Sequence, residues 1–365
     1  VNLPVLHPVK PMLAKRATKL PKGDDWMFEP KWDGFRALLF KDGDDWYLQS
    51  RDSKPLRRYF PELDAPIREI LPDRCVLDGE LVIARNGQLD FAAMQMRLHP
   101  AKSRVQKLSG EIPASLLFFD ILALDDRDLM NTPFQERRRI LVDELEGCPP
   151  PLYLTPLTRD RDQAQDWFER FEGAGLDGVI AKAPGGVYTP NKRTMVKVKH
   201  ERTVECVVGG FRWYKKHHGT HVGSLMLGLY DTEGRLHHVG VAGSFPMARR
   251  LELVEELAPY RIDDDDAEGH AAHPWGEWAQ HMRDAESKRQ RVPEGSSRWN
   301  PGKSLSWNPL RPELVVEVRY DQMLGSRFRH TAHFRRWRQD KPPTECTYDQ
   351  LDITPPAELA ELFGS

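Results

Sequence analysis

Cysteine is scarce in this sequence and net charge is almost absent. The four cysteines, Cys75, Cys148, Cys206 and Cys346, stand far apart with no C-x-x-C pair. That spacing signals neither a zinc site nor a disulfide framework and suits a reducing compartment. The 365 residues carry 53 Lys and Arg against 55 Asp and Glu, a formal charge of -2. So close a balance excludes a protein that holds nucleic acid or anionic membrane by bulk positive charge; a polyanion must meet locally placed cations. No long apolar run occurs and mean hydropathy is -0.61, so no membrane span or membrane partner is expected. The amino terminus, broken by Pro4, Pro8 and Pro11, lacks the apolar stretch of a signal peptide. The expected location is the cytoplasm. The acidic run Asp263 to Asp266 reads as a solvated loop.

What is present suffices for packed cores: 39% hydrophobic residues, with 15 Phe and 10 Trp. At roughly 100 to 200 residues per domain, the length favours two domains. The first two hundred residues alternate in strand fashion at FRALLF, WYLQS, CVLDGELVIA and SLLFFDILAL. Helical stripes separate them at PELDAPIREIL, FQERRRILVDELE and DQAQDWFERF. Antiparallel hairpins mixed with helices predict an α+β domain over residues 1–202. Shorter glycine-rich strands follow (TVECVVGGFRW, VGSLMLGLY, RLHHVGVAGSF, ELVVEVRY) with one helix, MARRLELVEELA. That texture predicts a small β-barrel of the oligonucleotide-binding (OB) type over 203–345. Residues 346–365 read as a carboxy-terminal tail.

Several constellations carry chemistry. In EPKWDGFR, Lys31, Asp33, Gly34 and Arg36 form K-x-D-G-x-R before a predicted strand. A lysine there can attack phosphorus once burial and neighbouring cations such as Arg36 lower its pKa; a surface lysine beside an ordinary D-G turn is the competing reading. Arg51 ends the next strand, either forked onto a phosphate or ribose or simply exposed. Asp78 and Glu80 interrupt an apolar strand on one face, which calls for a metal ion, ribose hydroxyls or a structural arginine. Asp120 is out of pattern in LLFFDIL, where Phe119 or Phe118 either packs or offers a ring to a purine. Asp177 and Lys182 flank a short apolar strand and suit a metal-bound triphosphate or a plain hairpin. In TMVKVKH, Lys197 and Lys199 share a face opposite Val196 and Val198, so an anion between them or an edge strand guarded by lysines accounts for the repeat. Basic and aromatic residues interleave from Ser326 to Lys341, as on nucleic-acid surfaces or a solvated helix, and RWYKKHH at 212–218 lies between two predicted strands.

Taken in order, Lys31-x-Asp33-Gly34, Ser50-Arg51-Asp52, Asp78-Gly79-Glu80, Phe119-Asp120, Asp177-Gly178 to Lys182, Lys197-x-Lys199 and Arg338-x-Asp340-Lys341 resemble the motif series of covalent nucleotidyltransferases. The specific likeness is to ATP-dependent DNA ligases, above all the small bacterial ligase C and the ligase domain of ligase D. The resemblance implies a nucleotidyltransferase (adenylation) domain followed by an OB-fold domain. It implies that Lys31 forms lysyl-AMP, that Glu29 holds the adenine edge, and that Phe119 stacks on adenine. Arg36 and Arg51 would contact the nucleotide and the DNA 5′-phosphate, and Glu80 the ribose or a metal. Asp177 would take a metal-binding place usually held by glutamate. Lys182, Lys197 and Lys199 would hold phosphate oxygens, Arg193 would contact the nucleotide, and Arg338 with Lys341 would orient the leaving pyrophosphate.

The expected reaction is nick sealing in three phosphoryl transfers, with ATP as co-substrate, Mg2+ or Mn2+ as the divalent metal and nicked duplex DNA as partner. A monomer acting in DNA repair, alongside a primase-polymerase or other repair proteins, fits the bacterial resemblance. The rivals are an RNA ligase, a GTP-using capping-type enzyme, and a non-catalytic DNA-end-binding module.

Overall fold

A computed structural model describes residues 2–23, 25–199, 201–263, 265–276, 306–351 and 359. The described residues divide into two compact units, one running to residue 199 together with Leu359, the other covering 201–351. Among them no helix is long and apolar enough to cross a membrane.

In the first unit the strands are β1 (Leu13–Ala17), β2 (Met27–Pro30), β3 (Phe35–Asp42), β4 (Asp45–Ser50), β5 (Arg74–Val82), the short pair β6 (Ala84–Arg85) and β7 (Gln88–Leu89), β8 (Ser115–Leu124), β9 (Arg127–Asp128), β10 (Leu152–Leu154), β11 (Val179–Lys182) and β12 (Arg193–Val198). The helices are α1 (Asp64–Ile70), α2 (Phe91–Arg97), α3 (Lys102–Glu111), α4 (Phe134–Leu145) and α5 (Arg161–Arg170). The larger sheet runs β10-β8-β5-β3-β4 with β9 on β8; the smaller runs β1-β12-β11-β2. The expectation of antiparallel sheets needs correction at two edges, where β1 pairs with β12 and β10 with β8 in parallel. Those partners lie far apart in sequence, so no hairpin signal announces them.

Two-residue alternation explains where the core and the site lie. On β3 and β5, Ala37, Leu39, Cys75, Leu77 and Leu81 enter one large apolar cluster with Ile67 of α1, Leu108 of α3 and Leu141 of α4. The opposite face carries Arg36, Leu38 and Phe40 on β3 and Val76, Asp78, Glu80 and Val82 on β5. Its apolar members join Met195 of β12 in one cluster, and Val198 with Val179 of β11 in another. Both clusters bridge the two sheets, and the polar side chains fall in the gap between them.

The second unit holds β13 (Arg202–Trp213), β14 (Val222–Tyr230), β15 (Leu236–Gly243), α6 (Met247–Leu257), α7 (Ala267–Ala272), β16 (Asn308–Tyr320), the pair β17 (Met323–Leu324) and β18 (Arg327–Phe328), and β19 (Ala332–Trp337). A closed barrel, β13-β14-β15-β19-β16, is the five-stranded OB arrangement. Its closing strand, β19, was legible only as a basic, aromatic stretch or a helix; arginines on its outer face hide the alternation that puts Ala332 inside. The described acids of 263–268 are exposed, and Asp266 accepts from Gly269 N–H to cap α7. Of the expected tail, residues 352–358 and 360–365 lie outside the described residues, while Leu359 packs in the first unit with its N–H on the Gly87 carbonyl.

Candidate active site

Lys31 sits in the turn between β2 and β3, and the backbone fixes it from both sides. Its N–H donates to the Gly178 carbonyl at 2.9 Å and its carbonyl accepts from Asp177 N–H at 2.9 Å. Trp32 beside it is buried, with Nε1 donating to Thr155 Oγ1 at 3.1 Å. Gly34 completes the turn where the chain passes so close to β5 that any Cβ would collide with the Leu81 carbonyl.

The Lys31 ammonium forms a short ion pair with Asp177 Oδ2, which also takes Lys199 Nζ at 2.8 Å. Burial raises the cost of ionising Asp177, but Lys31 and Lys199 outweigh it and hold its pKa down to about 2. For Lys31 the balance reverses the sequence expectation. Burial favours the neutral amine, yet Asp177, then Glu80 and Asp33, raise its pKa above the ordinary lysine value. Arg36, expected to lower it, is instead neutralised by a bidentate pair with Asp78, both bonds at 2.6 Å. Lys31 is therefore a held, charged amine in this arrangement.

Glu80 is half-buried, and its carboxylate makes no hydrogen bond or ion pair among the described residues. Burial pushes its pKa up to about 7 against the pull of Lys31 and Arg36. Burial and the neighbouring Lys199 and Lys31, with Arg51, lower the pKa of Lys197. Lys31, Arg51, Lys197 and Lys199 thus share one electrostatic neighbourhood with Asp177 and Glu80.

A second group lies deeper. Glu29, 2% exposed, pairs with Lys182 Nζ at 2.7 Å. Lys182, expected at phosphate oxygens, is buried with its ammonium 4.8 Å from the Phe119 ring centroid and 4.5 Å from that of Phe134. Its place is beside the candidate base-binding ring. Arg36 covers the same Phe119 ring at 4.7 Å. Arg138 of α4 approaches Glu29 Oε1 to 3.8 Å and donates to the Thr155 carbonyl. Arg137 forms a fully buried bidentate pair with Asp120. Neither arginine was singled out from sequence, although Phe134, Arg137, Arg138, Leu141 and Leu145 follow one helical stripe and so mark both as inward-facing.

One expected residue of the first unit lies away from this cluster. Arg193 is exposed at the start of β12, donating to the Ala14 carbonyl, roughly 20 Å along the strand from Lys199. Its guanidinium is not part of the cluster. In the second unit, Arg338 and Lys341 both pair with Glu205, Lys341 at 3.2 Å, and Arg338 also chelates Asp340 with two bonds of 2.9 Å.

The sequence model for the ATP dependent DNA ligase domain matches residues 11–199, and that for the ATP dependent DNA ligase C terminal region matches 218–341. The chain belongs to the ATP-dependent DNA ligase family. DNA ligase C of Mycobacterium tuberculosis is 51% identical over 368 residues, covering 99% of both chains. The multifunctional non-homologous end joining DNA repair protein LigD of the same species is 31% identical over 339 residues, 92% of this ligase chain but 39% of that protein. A solved Lig E DNA ligase, 15% identical, shares the fold with a TM-score of 0.56 over 92% of this chain and 100% of its own. ATP-dependent DNA ligation is the activity of this chain, with ATP as substrate.

Proposed function

We propose that this ligase seals nicks through lysyl-AMP formed on Lys31. The observation that carries the assignment is the clamp on Lys31: backbone bonds to 177–178, a carboxylate on its ammonium, and the cations Lys197, Lys199 and Arg51 around it. In the first transfer Lys31 Nζ, having lost its proton, attacks the α-phosphorus of ATP; a P–N bond forms and the P–O bond to pyrophosphate breaks. In the second, a 5′-phosphate oxygen at the nick attacks the same phosphorus and the lysine amine leaves. In the third, the 3′-hydroxyl attacks the DNA phosphate and AMP leaves. Charge spreads over phosphoryl oxygens at each step, so placed cations do most of the work. Lys197 and Lys199 supply them for the α-phosphate, Arg51 for the DNA 5′-phosphate, and Arg338 with Lys341 for pyrophosphate.

Glu29, with Lys182 and Arg138 holding it, and the Phe119 ring form the base-binding end. The donor set also fits a divalent metal. Glu80, a half-buried carboxylate with no hydrogen bond or ion pair among the described residues, and Asp177 are hard oxygen ligands, and magnesium binds through one or two carboxylates plus substrate phosphates rather than a full protein cage. When bound, the ion draws charge from the phosphoryl oxygens. Nicked duplex DNA is the substrate, and work in DNA repair is supported by the likeness to LigD, a non-homologous end joining DNA repair protein; a monomer working beside a primase-polymerase or other repair proteins completes the reading.

Incubation with α-labelled ATP and Mg2+ should leave label on the denatured protein, and Lys31→Ala should leave none. Label from GTP but not ATP, or label persisting in Lys31→Ala, would contradict the assignment.

A further inference from the structure

Tyr188 belongs to none of the ligase motifs, yet its side chain is 3% exposed and its hydroxyl is fully directed. Met12 N–H donates to Oη at 3.1 Å, so the single hydroxyl proton goes to Asp78 Oδ2 at 2.6 Å. Asp78, with no exposed surface, also accepts Arg36 Nε on Oδ1 and Nη2 on Oδ2. Arg36 Nη2 reaches the Met12 carbonyl at 3.4 Å as well. With Nε and Nη2 committed, Nη1 is the edge of the guanidinium left for a ligand.

Burial opposes the charge on Arg36, but Asp78 overrides it and raises the pKa further; burial and Asp78 raise that of Tyr188 well above the ordinary phenol value. Arg36 and Tyr188 therefore both keep their protons across neutral pH. Asp78 also faces Asp120 directly across the β5–β8 ladder. Two carboxylates so placed invite exchange of their arginines. The Tyr188 ring has the Arg137 guanidinium 5.8 Å from its centroid, and its hydroxyl proton goes to Asp78.

We infer that Tyr188 is a positioning residue for lysyl-AMP formation: through Asp78 it holds the Arg36 guanidinium over Phe119 in the pose that meets ATP. The inference rests on the proposed lysyl-AMP chemistry and on the nucleotide contact of Arg36 that the family resemblance implies. A bidentate pair sets the guanidinium plane, and the third bond to the carboxylate stops the pair from turning as a unit.

Tyr188→Phe keeps the ring and removes the bond. Single-turnover lysyl-AMP formation against ATP concentration should show KM raised about tenfold, the worth of one hydrogen bond to a charged group, with maximal rate little changed and the melting temperature lowered by the buried Met12 N–H left without its acceptor. In an Arg36→Gln background the same substitution should change nothing further, because the tyrosine acts only through that arginine. Asp78→Asn serves as a second variant should Tyr188→Phe not fold, with a larger rise in KM because it also breaks the bidentate pair, and the same silence in Arg36→Gln. An Arg36→Gln defect with normal Tyr188→Phe kinetics overturns the inference alone, as does an equal loss in both backgrounds. Normal ATP use by Arg36→Gln overturns the role of Arg36 and the inference together.

Discussion

Lys31 carries its charge because Asp177 outweighs burial, and that balance sets how the first step depends on pH. The amine must be neutral to attack, so lysyl-AMP formation should accelerate as pH rises toward the raised pKa. Asp177→Asn removes the carboxylate and leaves burial acting, so the profile should move to lower pH by about one unit or more. Single-turnover rates from about pH 6 to pH 10 measure it; a lower amplitude with no shift in midpoint is the contrary result. Glu80 has the opposite problem. Its folded pKa is pushed from 4.5 up to about 7, so the stability tied to its protonated form is present in acid and lost as pH rises through 7. Glu80→Gln should therefore stabilise the ligand-free protein at pH 8 by about 1–3 kcal/mol and by less at pH 5, while impairing ligation. Urea titrations at the two pH values test this, and equal effects would remove burial as the cause.

At the scale of elements, the site depends on strands meeting without intervening side chains. Gly178, at φ +123°, lies between Asp177 and β11, and a Cβ there would strike the Val198 carbonyl on β12. Its own carbonyl receives Lys31 N–H, so any shift is passed to the nucleophile's backbone. Gly178→Ala should cost roughly 2 kcal/mol or more of stability and reduce lysyl-AMP formation more than the loss of folded protein explains. Circular dichroism melts beside the labelling assay separate the two effects. Helix α4 contributes differently: its inward stripe ends in guanidinium groups at 137 and 138, which neutralise Asp120 and steady Glu29. An element that reads as amphipathic thus delivers charge to the interior where the strands have placed acids.

Over the whole molecule, a net charge of -2 describes local pairing more than weakness toward DNA. On β19 and just beyond it, Arg335, Arg336 and Arg338 pair with Glu201, Glu317 and Glu205, so that strand is not a bare cationic stripe. Lys215 and Lys216, exposed in the turn between β13 and β14, make no ion pair among the described residues. Lys215→Ala should therefore lower the slope of log affinity against log salt for a nicked duplex by about one, and Arg336→Ala by less. Fluorescence anisotropy across a salt series measures both, and equal slopes for the two variants would contradict the pairing argument.

Periodicity and local chemistry made much of this ligase legible. The strands at Phe35–Asp42, Arg74–Val82 and Ser115–Leu124, the lysine pair and the K-x-D-G turn follow from residue spacing alone, because alternation records which face each residue must present. The pairing of charges does not follow. Lys31 meets Asp177 across 146 residues and Tyr188 meets Asp78 across 110. Spacing shows that a buried acid needs a cation, but which cation reaches it depends on which strands become neighbours. The parallel β1–β12 edge, the closing strand β19, the seat of Lys182 beside Glu29 and the charged state of Lys31 were decided there, in the tertiary structure, by contacts that no local pattern encodes.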